Sequence, residues 1–205
     1  MNEHYYSKAP TSLSEPSSFH AHLRGNELLF QTDHGVFSRK EVDEGSRLLV
    51  ESIPAQSGGM LLDLGCGYGA VGIGLAVSMS DLFVWMVDIN ARAVELARHN
   101  AKLNHVDTRM QILQSDGCSV LPNDLRFDAI ALNPPIRAGK SVVFDLYEEA
   151  KSRLRENGVL YVVIQKKQGA ASSEKRLAEL GFDVLLMARD KGYRVYACKK
   201  KNSFD

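Results

Sequence analysis

The chain has 205 residues, 44% of them hydrophobic, enough to bury one sizeable core and too few for two independent ones. Its 25 basic and 25 acidic residues cancel, which excludes an overall positive field for attracting nucleic acid and leaves any such contact to a local patch. Three cysteines (Cys66, Cys118 and Cys198) without CxxC spacing exclude a metal site of familiar form, and the longest apolar run, 159–164, is too short to span a membrane.

The amino terminus lacks a basic-then-apolar signal pattern, so a cytoplasmic protein with reduced thiols is expected. Residues 1–18, rich in Ser, Pro and Tyr without periodicity, read as a loosely ordered arm of unreadable role. A short strand fits 27–32, and 34–37 fits a turn. Ser38 with Glu41 three residues on has capping-box form, and Val42, Leu48, Leu49 and Ile53 supply an apolar stripe, predicting a helix over 39–53. Residues 1–55 are therefore expected to be an arm, strand and helix packed on a domain formed by 56–205.

From residue 60, apolar runs alternate with amphipathic helices, the pattern of an α/β domain with a mainly parallel, doubly wound sheet. The runs 60–63, 83–88, 127–132 and 159–164 lack polar alternation, so helices should cover both faces, and 110–113 is a weaker strand. Helices are expected around Val94, Ala97 and Ala101, along Val143, Leu146, Ala150 and Leu154, and at Leu177 and Leu180. The strands 182–188 and 193–198 are joined by Arg189-Asp190-Lys191-Gly192, far too little for a parallel crossover, so they form an antiparallel hairpin. A parallel sheet closed by such a hairpin resembles the seven-stranded, Rossmann-like class I methyltransferase fold more than an all-parallel dinucleotide fold.

Asp63-Leu64-Gly65-Cys66-Gly67-Tyr68-Gly69 joins the first strong strand to a helix, and its glycines let backbone approach a ligand closely beside a helix amino terminus. Asp88 follows Gly65 by 23 residues, near the spacing at which a carboxylate meets a ribose, although a plain helix cap would also explain it. Asp116 stands after the third strand, where it could accept from an adenine amino group or simply close a turn. An acid at the loop's start sits badly beside a pyrophosphate and well beside a sulfonium, which favours S-adenosylmethionine (SAM) over a nicotinamide dinucleotide. The loop and the Asp88-Ile89-Asn90 stretch resemble motif I and the ribose-binding acid of class I methyltransferases. That resemblance implies cofactor contacts at Asp63, Gly65, Cys66, Gly67, Asp88, Ile89, Asp116, Gly117 and Asn133.

Asn133-Pro134-Pro135-Ile136 follows the central run 127–132, at a strand end where doubly wound sheets bind ligands. Prolines fix the backbone and withdraw N–H donors, leaving the Pro134 carbonyl and the Asn133 side-chain oxygen as rigid acceptors. Two such acceptors can orient a conjugated amine until its lone pair points at a methyl donor, and both bonds strengthen as the nitrogen turns positive. A turn without chemistry is the plain alternative. The tetrapeptide resembles the N-P-P-[YF] motif of amino-methylating enzymes and departs from it at Ile136, which cannot stack on a base. Another aromatic, Phe37 or Phe144, or apolar contact must then hold the base.

Gly35-Val36-Phe37-Ser38, motif I and the stretch Asn133-Pro134-Pro135-Ile136-Arg137-Ala138-Gly139-Lys140 together resemble the "methyltransferase small" family, over residues 28–198. Its characterised bacterial members include guanine-N2 methyltransferases of small-subunit ribosomal RNA. Those enzymes can carry a second, degenerate copy of the domain; this sequence holds one copy. The resemblance implies SAM as cofactor, Asn133, Pro134 and Pro135 as the catalytic turn, and Phe37, Ile136, Arg137 and Lys140 as substrate contacts. The implied partner is ribosomal RNA or the assembled small subunit, met by a monomer without metal or membrane. Further candidate cations are Lys166, Lys167, Lys175, Arg176 and the run Lys199-Lys200-Lys201. A protein-glutamine methyltransferase shares the chemistry, and a nicotinamide-dependent oxidoreductase or a non-catalytic RNA-binding module would be readings from other classes.

Overall fold

The computed structural model describes residues 15–36, 38, 40–55 and 58–201. The first element is a hairpin of β1 (Ser17–Leu23) and β2 (Asn26–Thr32), turned by Arg24 and Gly25, both with positive φ. β2 meets the expectation, whereas β1 begins inside the segment read as an arm. The alternation Phe19, Ala21, Leu23 puts apolar side chains on one face, with Ala21 and Leu23 buried.

Helix α1 (Glu44–Ser52) starts later than the expected 39. Asp43 is its cap, its carboxylate accepting from the Gly45 and Ser46 N–H groups at 3.0 Å each. Ser38 instead has φ of 55°, and its hydroxyl donates to the Glu41 carbonyl, a local bond that competes with helix.

Then come β3 (Gly59–Leu64), α2 (Ala70–Ser78), β4 (Leu82–Asp88), α3 (Ala91–Leu103), β5 (Met110–Gln114) and β6 (Phe127–Leu132). They are followed by α4 (Lys140–Arg153), β7 (Leu154–Gln165), α5 (Ala170–Glu179), β8 (Phe182–Asp190) and β9 (Tyr193–Lys200). Seven strands form one sheet in the order β5-β4-β3-β6-β7-β9-β8, parallel except where β9 pairs antiparallel with β7 and β8. This is the Rossmann-like methyltransferase sheet with its terminal hairpin.

The pleat explains why the strands carry apolar residues on both sides. Leu61, Val84, Met86, Ala129, Ala131 and Val163 face α1, α2, α3 and the first hairpin, while Leu62, Leu64, Ile130, Leu132 and Val162 face α4 and α5. The first hairpin shares that core: Leu23, Leu28 and Phe30 are almost fully buried. Asn100 of α3 pairs β2 as a strand would, accepting from the Gln31 N–H at 2.8 Å and donating to the Gln31 carbonyl at 2.9 Å. The same amide donates to the Tyr68 carbonyl at 2.9 Å, tying hairpin, helix and glycine loop together.

Candidate active site

β3 has β4 on one side and β6 on the other, so the chain's path reverses between them and a crevice opens at their carboxyl ends. A cavity of about 400 Å³ lies there. Its wall includes Asp63, Gly65, Cys66, Gly67, Asp88, Ile89, Asp116, Gly117, Asn133, Pro134 and Pro135.

The Asp63 carboxylate is buried at the end of β3 and accepts from the Gly72 N–H of α2 at 2.8 Å. Glycine at position 72 leaves room for that approach, since a Cβ there would lie 2.6 Å from the Met86 sulfur and 3.1 Å from the Asp63 carboxylate oxygen itself. Burial, opposed by the Gly72 bond and assisted by the nearby Asp88 charge, raises the Asp63 carboxyl from 3.8 to about 7. Gly65 and Gly67 have φ of 77° and 56°, and a Cβ at either would meet nothing within 4 Å, so their backbone faces open space. The Gly65 and Cys66 N–H groups anchor the loop on the Val87 carbonyl at 2.8 and 3.0 Å.

Asp88 is not the cap of α3. Asn90 takes that place, and the Asp88 carboxylate accepts instead from the Gly67 N–H at 2.8 Å and the Asn90 N–H at 2.9 Å. Burial raises its carboxyl despite those bonds. The Cys66 thiol, buried beside Asp88 and Asp63, is pushed far up and stays neutral, which suits a wall rather than a nucleophile. All three cysteines are buried and free.

At the end of β6, the Asn133 side-chain nitrogen donates to Ser46 Oγ at 3.0 Å and Asp43 Oδ1 at 3.3 Å. The Pro134 carbonyl accepts from the Ile136 N–H at 2.9 Å and keeps a second lone pair. Opposite stands an apolar wall from α4 and the turn before it: Ala138, Val142 and Leu146. Tyr68 also lines the cavity; its ring packs on Phe19 and Phe30, and its buried hydroxyl meets no hydrogen-bond partner among the described residues.

The methyltransferase small domain family matches residues 27–197, from β2 into β9. The chain belongs to that family. It is 45% identical over 202 residues, 98% of this chain and all of its relative, to the uncharacterised protein YbxB of Bacillus subtilis (strain 168). It is 31% identical over 173 residues to ribosomal RNA large subunit methyltransferase G of Shewanella amazonensis, covering 82% of this chain and 45% of that enzyme. Among solved structures, the T. thermophilus 16S rRNA N2 methyltransferase RsmC in complex with AdoMet and guanosine superposes with a TM-score of 0.79 at 29% identity. That match covers 94% of this chain and 52% of RsmC, so the chain spans about half the length of these two named methyltransferases.

Against this family fold, the residues expected from sequence fall in different places. The motif I loop, Asp88, Asp116 and the Asn133 turn converge on one cavity. Phe37 lies outside the described residues. Ile136, expected at the substrate, turns with Lys140 toward a smaller hollow lined by Val143 and Phe144, and packs on the core between sheet, α4 and α5. Phe144 cannot replace it in the cavity, since it packs on Tyr147 and carries the Arg176 guanidinium over its ring at 5.7 Å. Arg137 and Lys140 are exposed beside the Asn133-Pro134-Pro135 turn, and Lys166 follows β7 at the same edge of the sheet.

Sequence reasoning missed Asp43, Ser46, Tyr68 and the α4 wall. Val142 and Leu146 carry a signal in their spacing from Ala138, four and eight residues on, a second apolar stripe beside the core stripe of Val143, Tyr147 and Ala150. The lysine run also needs correction. Lys199 pairs with Val159 and Lys200 donates to the Leu154 carbonyl, at the start of β7, so the run lies at the edge of the sheet opposite the cavity.

Proposed function

We propose that this protein is a SAM-dependent methyltransferase acting on the exocyclic N2 amine of a guanine in small-subunit ribosomal RNA. The observation that carries the reading is that the glycine loop, Asp63 and Asp88 share one cavity with the Asn133-Pro134-Pro135 turn.

The residues fit the cofactor. Gly65 and Gly67 offer a backbone with open space where a side chain would stand, Asp63 supplies a negative charge for a cationic tail, and Asp88 supplies carboxylate oxygens for a ribose. Asp116 and Gly117 lie on the same wall and would hold the adenine. Bound SAM supplies an electrophilic methyl group on a sulfonium.

The rest is the work of this chain. The amine's two N–H bonds point at Asn133 Oδ1 and the Pro134 carbonyl, which turns its lone pair into the cavity. As nitrogen gains the methyl and becomes positive, both hydrogen bonds strengthen, so they act chiefly in the transition state. The extra proton then leaves to water, and no basic side chain is required beforehand. Ala138, Val142, Leu146 and the proline rings offer an apolar surface for the planar base, in place of the aromatic that Ile136 does not supply. Similarity to the N2 methyltransferase RsmC supports guanine and the small subunit.

Similarity to large subunit methyltransferase G favours a second reading with the other ribosomal RNA as substrate. One experiment separates them. Nucleoside mass spectrometry of both ribosomal RNAs from a strain lacking the gene should show loss of one N2-methylguanine from the small-subunit RNA, restored by the purified protein with SAM. Loss from the large-subunit RNA selects the second reading, and no loss from either RNA refutes both.

A further inference from the structure

Asn133 can serve as an acceptor only if its carboxamide presents oxygen and not nitrogen to the cavity. Oxygen and NH2 have nearly the same shape, so packing alone does not choose between them; hydrogen-bond partners must.

Those partners come from α1. Asp43 Oδ1 already accepts from the Gly45 and Ser46 N–H groups at 3.0 Å each, and it stands 3.3 Å from Asn133 Nδ2. A carboxylate has no proton to give, so an Asn133 oxygen turned toward it would set acceptor against acceptor. Ser46 Oγ, on a residue only 7% exposed, takes the second N–H of the same amide at 3.0 Å. The tight start of the helix makes this reach possible: a Cβ at Gly45 would lie 2.9 Å from the Tyr193 ring and 3.1 Å from Asp43 Oδ1. Asp43 and Ser46 both line the cavity beside Asn133.

We propose that Asp43 and Ser46 are positioning residues that lock the Asn133 carboxamide with its oxygen toward the cavity. The amino terminus of α1 thereby belongs to the methyl-transfer apparatus, acting through Asn133. The inference rests on the proposed amine-orienting role for its consequence, while the lock itself is a property of the protein without substrate.

The test uses Asp43→Ser, which keeps a good helix cap on a side chain too short to reach Asn133, together with Ser46→Ala. Side-chain amide protons of Asn133, identified in NMR spectra by their absence from Asn133→Ala, should exchange with solvent at least about tenfold faster in the double variant than in the parent, as expected for loss of a fixed hydrogen bond. In turnover, the double variant should keep its SAM affinity and KM while kcat falls about tenfold, the scale of a misplaced orienting group. Placed on Asn133→Ala, the same changes should lower kcat no further. Ser46→Thr, which keeps the hydroxyl, should restore turnover to Ser46→Ala, and this pair stands in if the double variant does not fold. Equal exchange rates, weakened SAM binding, or an undiminished kcat loss without Asn133 would overturn the lock. Absence of a missing N2-methylguanine in the deletion strain would sink the guanine assignment alone, because the exchange measurement needs no methyl acceptor.

Discussion

The Asp63 carboxylate at the end of β3 accepts from the Gly72 N–H in the first turn of α2, at 2.8 Å. Burial outweighs that bond and lifts the carboxyl to about 7, from 3.8. The folded protein holds this proton up to about pH 7 while the unfolded chain releases it near pH 4. Stability from this group is therefore fully present below pH 4 and lost as pH rises to 7, by on the order of 4 kcal/mol. Asp63→Asn should raise the melting temperature at pH 8 and leave it unchanged near pH 4. A cationic ligand favours the ionised form, so SAM affinity in the parent should increase from pH 6 to pH 8 with release of a proton, and Asp63→Asn should bind weakly at every pH. Calorimetry in two buffers of different ionisation heat measures both; a parent affinity flat across this range removes Asp63 from the cofactor site.

Asp88 links the glycine loop to the start of α3 through its bonds to the Gly67 and Asn90 N–H groups. Asp88→Ala leaves two donors unpaired and removes the proposed ribose acceptor. SAM affinity should fall by roughly tenfold to a hundredfold, the 1.5 to 3 kcal/mol of a charged hydrogen bond, alongside a measurable loss of thermal stability. Unchanged affinity would show that the carboxylate braces the loop and touches no ligand.

For Asn133→Ala, SAM affinity should stay near the parent value while methyl transfer slows by about tenfold to a hundredfold. Asp43 keeps its two backbone donors in that variant, so the helix cap survives. Normal turnover by a folded, SAM-binding variant contradicts the amine-orienting role.

The Tyr68 hydroxyl is buried without a partner among the described residues, while its ring is held by Phe19 and Phe30. An unpaired buried hydroxyl costs about 1 to 3 kcal/mol, and a ligand in the cavity that Tyr68 lines could supply a partner. Tyr68→Phe should therefore raise the melting temperature of the free protein and weaken SAM binding several-fold. If binding is unaffected, the hydroxyl is strain without function.

Cations at the cavity edge and at the far edge should behave differently toward RNA. Neutralising Arg137 and Lys140 together should weaken binding of small-subunit RNA and reduce its log–log salt slope by roughly one unit for each phosphate that no longer meets a cation. Neutralising Lys199, Lys200 and Lys201 should leave the slope alone, because β9 carries them away from the cavity. Filter binding over a salt series decides, and equal effects would mean that the RNA-binding surface is not the edge bearing the Asn133-Pro134-Pro135 turn.

Much of this architecture is legible in the order of residues. Strand and helix periods, the short loop that forces the β8–β9 hairpin antiparallel, and the strand-end positions of Gly65, Asp88 and Asn133 are properties of neighbouring residues, so spacing along the chain reveals them. The opposite-edge position of Lys199, Lys200 and Lys201 is implicit in that same hairpin, since reversing β9 reverses the end at which its tail emerges. What only the tertiary structure decided are relationships across long stretches of chain. Asp43 and Asn133 are 90 residues apart, and they meet because α1 packs across β7 and β9 beside the end of β6. The direction Ile136 faces depends on the turn at 136–138 and on which gap between α4 and α5 has room, neither of which a tetrapeptide encodes. Side-chain chemistry and local period are written in sequence; the facing of one element against another is set by the packing of the whole core, and it is that packing which brings Asn133, at a strand end, against Asp43 and Ser46.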